Sequence, residues 1–143
     1  MDLLIDVNIA IDVCARRMPF APVSAAALQH CQTLGGKLWL YTGSVQTLEY
    51  NLLRELGRCQ SEADEVVSKY QWMIRARQTL KAFAEDKHWL AALAEDGDVF
   101  ESSDPEDEQL VRALGRFASG SIKLLTRDEV LCDKYPEHTI TPM

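Results

Sequence analysis

The first eight residues constrain the chain most: the apolar run Leu3-Leu4-Ile5 leads straight into Asp6, and Val7-Asn8 follow. A short continuous apolar run suits a strand buried on both faces, as in a parallel sheet, and Asn8 suits the start of a helix. Ligands of parallel sheets bind outside the carboxyl ends of the strands. Asp6 is expected at such an end.

The remaining sequence alternates the same two patterns. A helix is expected from Asn8 to about Cys14, then a linker over 19–22 and a second helix over 25–34 with Ser24 as its cap. Gly35-Gly36 ends that helix, and 37–42 has the composition of a second strand. A helix over 45–56 stops at Gly57, and a long helical region runs over 61–95 with a break near Glu85-Asp86. A short third strand over 98–101 precedes a helix that starts at Pro105 and runs to about Ala118. A strand over 122–126, a short helix over 127–133 and a last strand over 139–141 complete the order. Such alternation predicts an α/β fold with a parallel sheet of four to five strands and helices on both faces. At 143 residues the chain is read as one domain, 1–143, with room for a real core.

Charge and composition exclude several functions. A net charge of -7 argues against binding nucleic acid over the whole surface, while leaving room for a local basic patch. Cys14, Cys31, Cys59 and Cys132 form no CxxC spacing and read as reduced thiols, and His30, His88 and His138 make no ligand pattern. Asp2, Asp6 and Asp12 interrupt the apolar N-terminus, which argues against a signal peptide. No apolar run reaches membrane-span length, so no membrane partner and a cytoplasmic location are expected.

Four carboxylates then stand out. On the helix over 45–56, Val45, Leu48, Leu52, Leu53 and Leu56 project as one apolar stripe, and Glu49 falls inside it. A core-facing glutamate is costly unless paired or bound to a cation. On the helix after Pro105, Asp107 projects between Leu114 and Ala118, although it also suits a capping-box partner of Asp104. Asp128 follows the strand over 122–126 and, like Asp6, could simply cap the next helix. Asp12 shares a helix with Asp6 and is read as lying on its solvated face. Taken together, Asp6, Glu49, Asp107 and Asp128 each follow a predicted strand near one sheet edge. Converging carboxylates would be forced to protonate unless a cation joined them, and an all-oxygen set selects Mg²⁺ or Mn²⁺. A site of that kind suits phosphoryl transfer or phosphodiester cleavage.

The ordered motifs resemble the PIN-domain nucleases. Leu3-Leu4-Ile5-Asp6-Val7-Asn8 is similar to the family's opening strand and Asp-x-Asn. The stretch 44–50 with Thr47-Leu48-Glu49 resembles its second acidic motif, and Asp104-Pro105-Glu106-Asp107-Glu108-Gln109-Leu110 the start of its third motif helix. Leu124-Leu125-Thr126-Arg127-Asp128 resembles its fourth motif, and Ile140-Thr141-Pro142 its last strand. The resemblance implies a three-layer α/β/α sandwich, Mg²⁺ or Mn²⁺ dependence and cleavage of RNA. It assigns Asp6, Glu49, Asp107 and Asp128 as the catalytic and metal-binding carboxylates, with Asn8 and Thr126 as hydrogen-bonding supports. Asp104 competes with Asp107 for the third position. Small members, the VapC-like toxins, are commonly homodimers held inactive by an antitoxin.

An RNA substrate needs cations. The segment 69–81 offers Lys69, Arg75, Arg77 and Lys81 with Tyr70 and Trp72 among them, although Tyr70, Met73 and Ile74 also form a stripe suited to packing. Arg16 and Arg17 are a second set of phosphate-contact candidates. Two other functions fit part of the pattern. An aspartyl-phosphate protein also has an acidic residue after its first strand, but leaves Glu49 unexplained. A catalytically silent PIN-like scaffold would keep the acidic set without turnover.

Overall fold

A computed structural model describes residues 1–58, 69–97 and 105–142. Within them β1 (Asp2–Ile5) leads into α1 (Val7–Cys14), and α2 (Phe20–Thr33) precedes β2 (Leu38–Tyr41). A single 3-10 turn, Thr42–Ser44, opens α3 (Val45–Arg58), and α4 (Lys69–Ala84) leads to β3 (His88–Leu90). The last part holds α5 (Pro105–Leu114), β4 (Ile122–Leu125), α6 (Glu129–Lys134) and β5 (Thr139–Ile140). The five strands form one sheet in the order β3-β2-β1-β4-β5, and every pairing is parallel. The expected α/β class with a parallel sheet flanked by helices is what the chain adopts.

The pleat of the central strands splits the core in two. Leu3 and Ile5 point to one face, where Leu38, Leu40 and Leu125 join Ile9 and Ile11 of α1, Leu28 of α2, Leu48 and Leu52 of α3 and Leu80 of α4. Leu4 points to the other, where Tyr41, Leu90 and Leu124 meet Leu110 and Leu114 of α5 and Leu131 of α6. Alternate residues of one strand thus serve opposite helical layers, which is why β1 and β4 are apolar at every position except Asp2 and Lys123.

Three sequence expectations change. The chain over 88–90 is the edge strand β3, not the continuation of a helix; Trp39, Leu40 and Tyr41 pair with His88, Trp89 and Leu90. A three-residue apolar run carries no periodicity that separates strand from helix, and pairing with β2 decides it. The strand expected over 98–101 lies outside the described residues. The second helix begins at Phe20, before the expected linker ends, because Pro22 sits in its first turn, where an N–H has no intrahelical acceptor. On α4 the buried residues are Ala76, Leu80 and Ala84, whereas Tyr70 and Ile74 of the expected stripe are exposed. Among the described residues no helix is long and apolar enough to cross a membrane.

Candidate functional site

Because β1 and β4 are parallel neighbours, the residues that follow them emerge side by side. Asp6 follows β1 as the N-cap of α1: its Oδ1 accepts the Val7 N–H at 2.7 Å, and its Oδ2 accepts the Thr126 hydroxyl at 2.6 Å. The same Thr126 oxygen accepts the Asp128 N–H at 3.0 Å and the Asn8 amide at 3.4 Å. Asn8 Oδ1 in turn accepts the Arg127 N–H at 3.4 Å. Asp128 caps α6 by accepting the Leu131 N–H on Oδ1 at 3.2 Å. Both carboxylates are therefore helix caps, and capping does not exclude a second role, because an ionised carboxylate has about four lone-pair sites.

The facing wall comes from α3 and α5. Thr47, one turn before Asn51, donates its hydroxyl to Glu106 Oε2 at 3.1 Å. The other oxygen, Glu106 Oε1, is buried without a hydrogen-bond partner. Asp107 stands beside it at the start of α5. Together Asp6, Asn8, Arg17, Asn51, Glu106, Asp107 and Asp128 line a cleft of about 260 Å³ at the carboxyl edge of the sheet. An unpartnered buried carboxylate oxygen among three further carboxylates is an arrangement that asks for a cation or a donor.

Electrostatics mark Asp6 in particular. Burial pushes its carboxyl up to about 6; the hydrogen bonds from Thr126 and Val7 work against this, while the charges of Asp128 and Glu106 add to it. An acid with a raised folded-state pKa keeps its proton where the unfolded chain has already lost it. Metal-free protein is therefore expected to lose stability, by about 2 kcal/mol from this group, as pH rises from about 4 to 6. Urea unfolding at pH 4.5 and 6.5 measures the loss, and Asp6→Asn should flatten it. An equal slope in that variant would assign the effect to other groups.

The predicted residues do not all meet here. Asp6, Asn8, Asp107, Asp128 and Arg17 line the cleft, with Thr126 fully buried behind it. Glu49 does not. It lies in the seam between α3 and α4, 3.7 Å from Arg77, and lines a separate groove of about 650 Å³ with Lys81 and Trp89. The buried positions of α3 are Leu48, Leu52 and Glu55, so the cleft receives Thr47 and Asn51 from one side of that row and α4 receives Glu49, Leu53 and Tyr50 from the other. The apolar stripe is wide because α3 packs on two neighbours, and a helical projection cannot assign its two flanks. Asp104 lies outside the described residues. Arg16 is exposed in the left-handed turn that ends α1, at φ 53°. Of the α4 cations, Arg75 lies over the Trp72 ring at 5.0 Å, and Arg77 and Lys81 face the separate groove; α4 begins at Lys69.

Glu106, Thr47 and Asn51 were given no site role from the sequence, and Asp12 was read as solvated. Glu106 precedes Leu110 by four residues, so the projection that turned Asp107 inward also applied to it. Asp12 is fully buried, not solvated. Its helix is apolar almost all round, over Ile9, Ala10, Ile11 and Val13, and a helix of that kind is buried on every side. Among the described residues no three His, Cys, Asp or Glu side chains are grouped closely enough to hold one metal ion directly. No protein-family model matches the chain, and neither does any curated protein.

Proposed function

We propose that the chain is a PIN-like, metal-dependent endoribonuclease that hydrolyses RNA phosphodiester bonds at the cleft between β1, β4, α3 and α5. The observation that carries the reading is the gathering of Asp6, Glu106, Asp107 and Asp128 around one open cleft, with Glu106 Oε1 buried and unpartnered. Those oxygens suit a hard divalent cation, Mg²⁺ or Mn²⁺. Magnesium commonly keeps several waters and takes only one or two carboxylates directly, so three converging ligands are not required. Such an ion, when bound, activates water and neutralises charge on a phosphoryl group.

The chain's own residues supply the rest. Thr126 and the Val7 N–H fix both oxygens of Asp6, which keeps that carboxylate from rotating away from the cleft. Thr47 fixes Glu106 Oε2 and leaves Oε1 for the cation. Asn8 ties the start of α1 to the chain between Thr126 and Asp128, holding the two capping aspartates in register. A cytoplasmic location, a homodimer and an antitoxin partner belong to the same reading and rest on the PIN resemblance alone.

Labelled single-stranded and structured RNAs incubated with the purified protein and Mg²⁺ or Mn²⁺ test it. Cleavage that EDTA abolishes is expected; metal binding without cleavage of any RNA would favour the scaffold role. A paired substitution separates Glu49 from Glu106. Glu106→Gln should lower kcat by about 10²-fold or more, whereas Glu49→Gln should stay within about threefold of the parent. Equal losses in the two variants would bring Glu49 back into the site.

A further inference from the structure

Asp12 has no part in the scheme above, yet it is fully buried and carries the densest set of polar contacts near the cleft. Its Oδ1 meets Arg17 Nε at 3.0 Å and Nη2 at 2.8 Å, together with Arg127 Nη2 at 2.8 Å. Its Oδ2 accepts Arg127 Nε at 2.6 Å and the Ser24 hydroxyl at 3.2 Å. One carboxylate therefore joins the end of α1, the body of α2 and the chain after β4. One carboxylate thereby holds two guanidinium groups beside the cleft, and Glu55 stands near the Arg17 group as a second negative charge.

The two arginines are used differently. Arg127 is bound through Nε and Nη2, lies over the Phe20 ring at 3.7 Å and lines a cavity with Phe20 and Pro142. It is an anchor. Arg17 also has Nε and Nη2 engaged, the latter donating to the Asn8 carbonyl at 3.1 Å, but it lines the cleft itself. Its Nη1 comes within only 3.7 Å of Glu55 Oε1, beyond hydrogen-bond reach, and that oxygen also stands 3.4 Å from Arg58 Nη1. A guanidinium held along one edge in the wall of a cleft is suited to a phosphate oxygen.

We propose that Asp12 is a positioning residue: it fixes the Arg17 guanidinium so that it takes one phosphate of an RNA strand entering the cleft. This rests on the nuclease reading. Steady-state cleavage of one RNA, followed from low to high salt, tests it in the parent chain, Arg17→Gln, Asp12→Asn, the double variant and Arg127→Gln. Arg17→Gln should raise KM about tenfold with kcat within about threefold, and reduce the salt slope of log kcat/KM by about 0.7, the value of one single-strand phosphate contact. Asp12→Asn should reproduce both changes and add nothing to them in the Arg17→Gln background. Arg127→Gln loses a pairing with the same carboxylate and should leave the salt slope unaltered, which a merely structural role for Asp12 does not predict. Where Asp12→Asn does not fold, Asp12→Glu keeps the charge, displaces Arg17 and should still raise KM. A parent chain that cleaves RNA, with Arg17→Gln unchanged in KM and slope, overturns this assignment alone. Additive losses in the double variant overturn the role of Asp12, and absence of any metal-dependent cleavage by the parent removes both readings.

Discussion

Asp6→Asn is expected to lower metal-dependent RNA cleavage by about 10³-fold or more, equivalent to about 4 kcal/mol of transition-state stabilisation, in a protein that remains folded. Asparagine matches aspartate in size and can still cap α1 by accepting the Val7 N–H, so the local backbone has no cause to move. What disappears is the negative charge, in the position where burial and two neighbouring carboxylates make that charge expensive. A chain optimised only for stability would gain from a neutral residue there. Retention of an ionisable group that Thr126 holds by a 2.6 Å hydrogen bond makes sense if a cation uses it. The same substitution should therefore weaken Mn²⁺ binding measured by calorimetry, while circular dichroism stays close to the parent and the urea midpoint of the metal-free protein at pH 7 rises, because the buried charge is gone. Undiminished cleavage would return Asp6 to the role of a helix cap. Lost cleavage with unchanged metal affinity would move the ion to Glu106 and Asp107.

The parts legible in the sequence were those set by local chemistry. Leu3-Leu4-Ile5 and Leu124-Leu125 announced central strands because residues buried on both faces leave no room for polar alternation, and Asp6 and Asp128 were legible because each ends such a strand. Pro105 marked a helix start by its fixed φ and missing N–H. The parts that were not legible depend on neighbours distant in sequence. His88-Trp89-Leu90 became a strand through pairing with β2, and nothing within three residues encodes a partner. Glu49 and Thr47 lie on opposite flanks of one wide apolar face, and whether α4 or the cleft covers a given flank is decided by packing. Asp12 required two arginines, one of them 115 residues away, before its burial could be understood.

Asp12 also carries the largest expected effect on stability. Removing one partner of a buried ion pair costs about 3–5 kcal/mol, because the remaining charge is left in a poorly solvated place. Here two arginines would be left, although their side chains are 29% and 25% exposed and can partly rehydrate, so about 3 kcal/mol is expected for Asp12→Ala. The substitution also leaves a cavity and deprives the Ser24 hydroxyl, itself fully buried, of its acceptor. Urea unfolding should show a lower midpoint with an unchanged m value, since the surface exposed on unfolding is nearly the same. A loss below about 1 kcal/mol would mean that the network contributes little to holding α1, α2 and the chain after β4 together. Buried ion networks can often be replaced by well-packed apolar residues without loss of stability. Asp12→Leu combined with Arg17→Met and Arg127→Met should accordingly recover most of what Asp12→Ala loses, and yet remain defective in RNA cleavage through a raised KM. Recovery of both stability and KM would make the triad a packing device. Recovery of stability alone would mean that the charges are kept for what Arg17 does at the cleft.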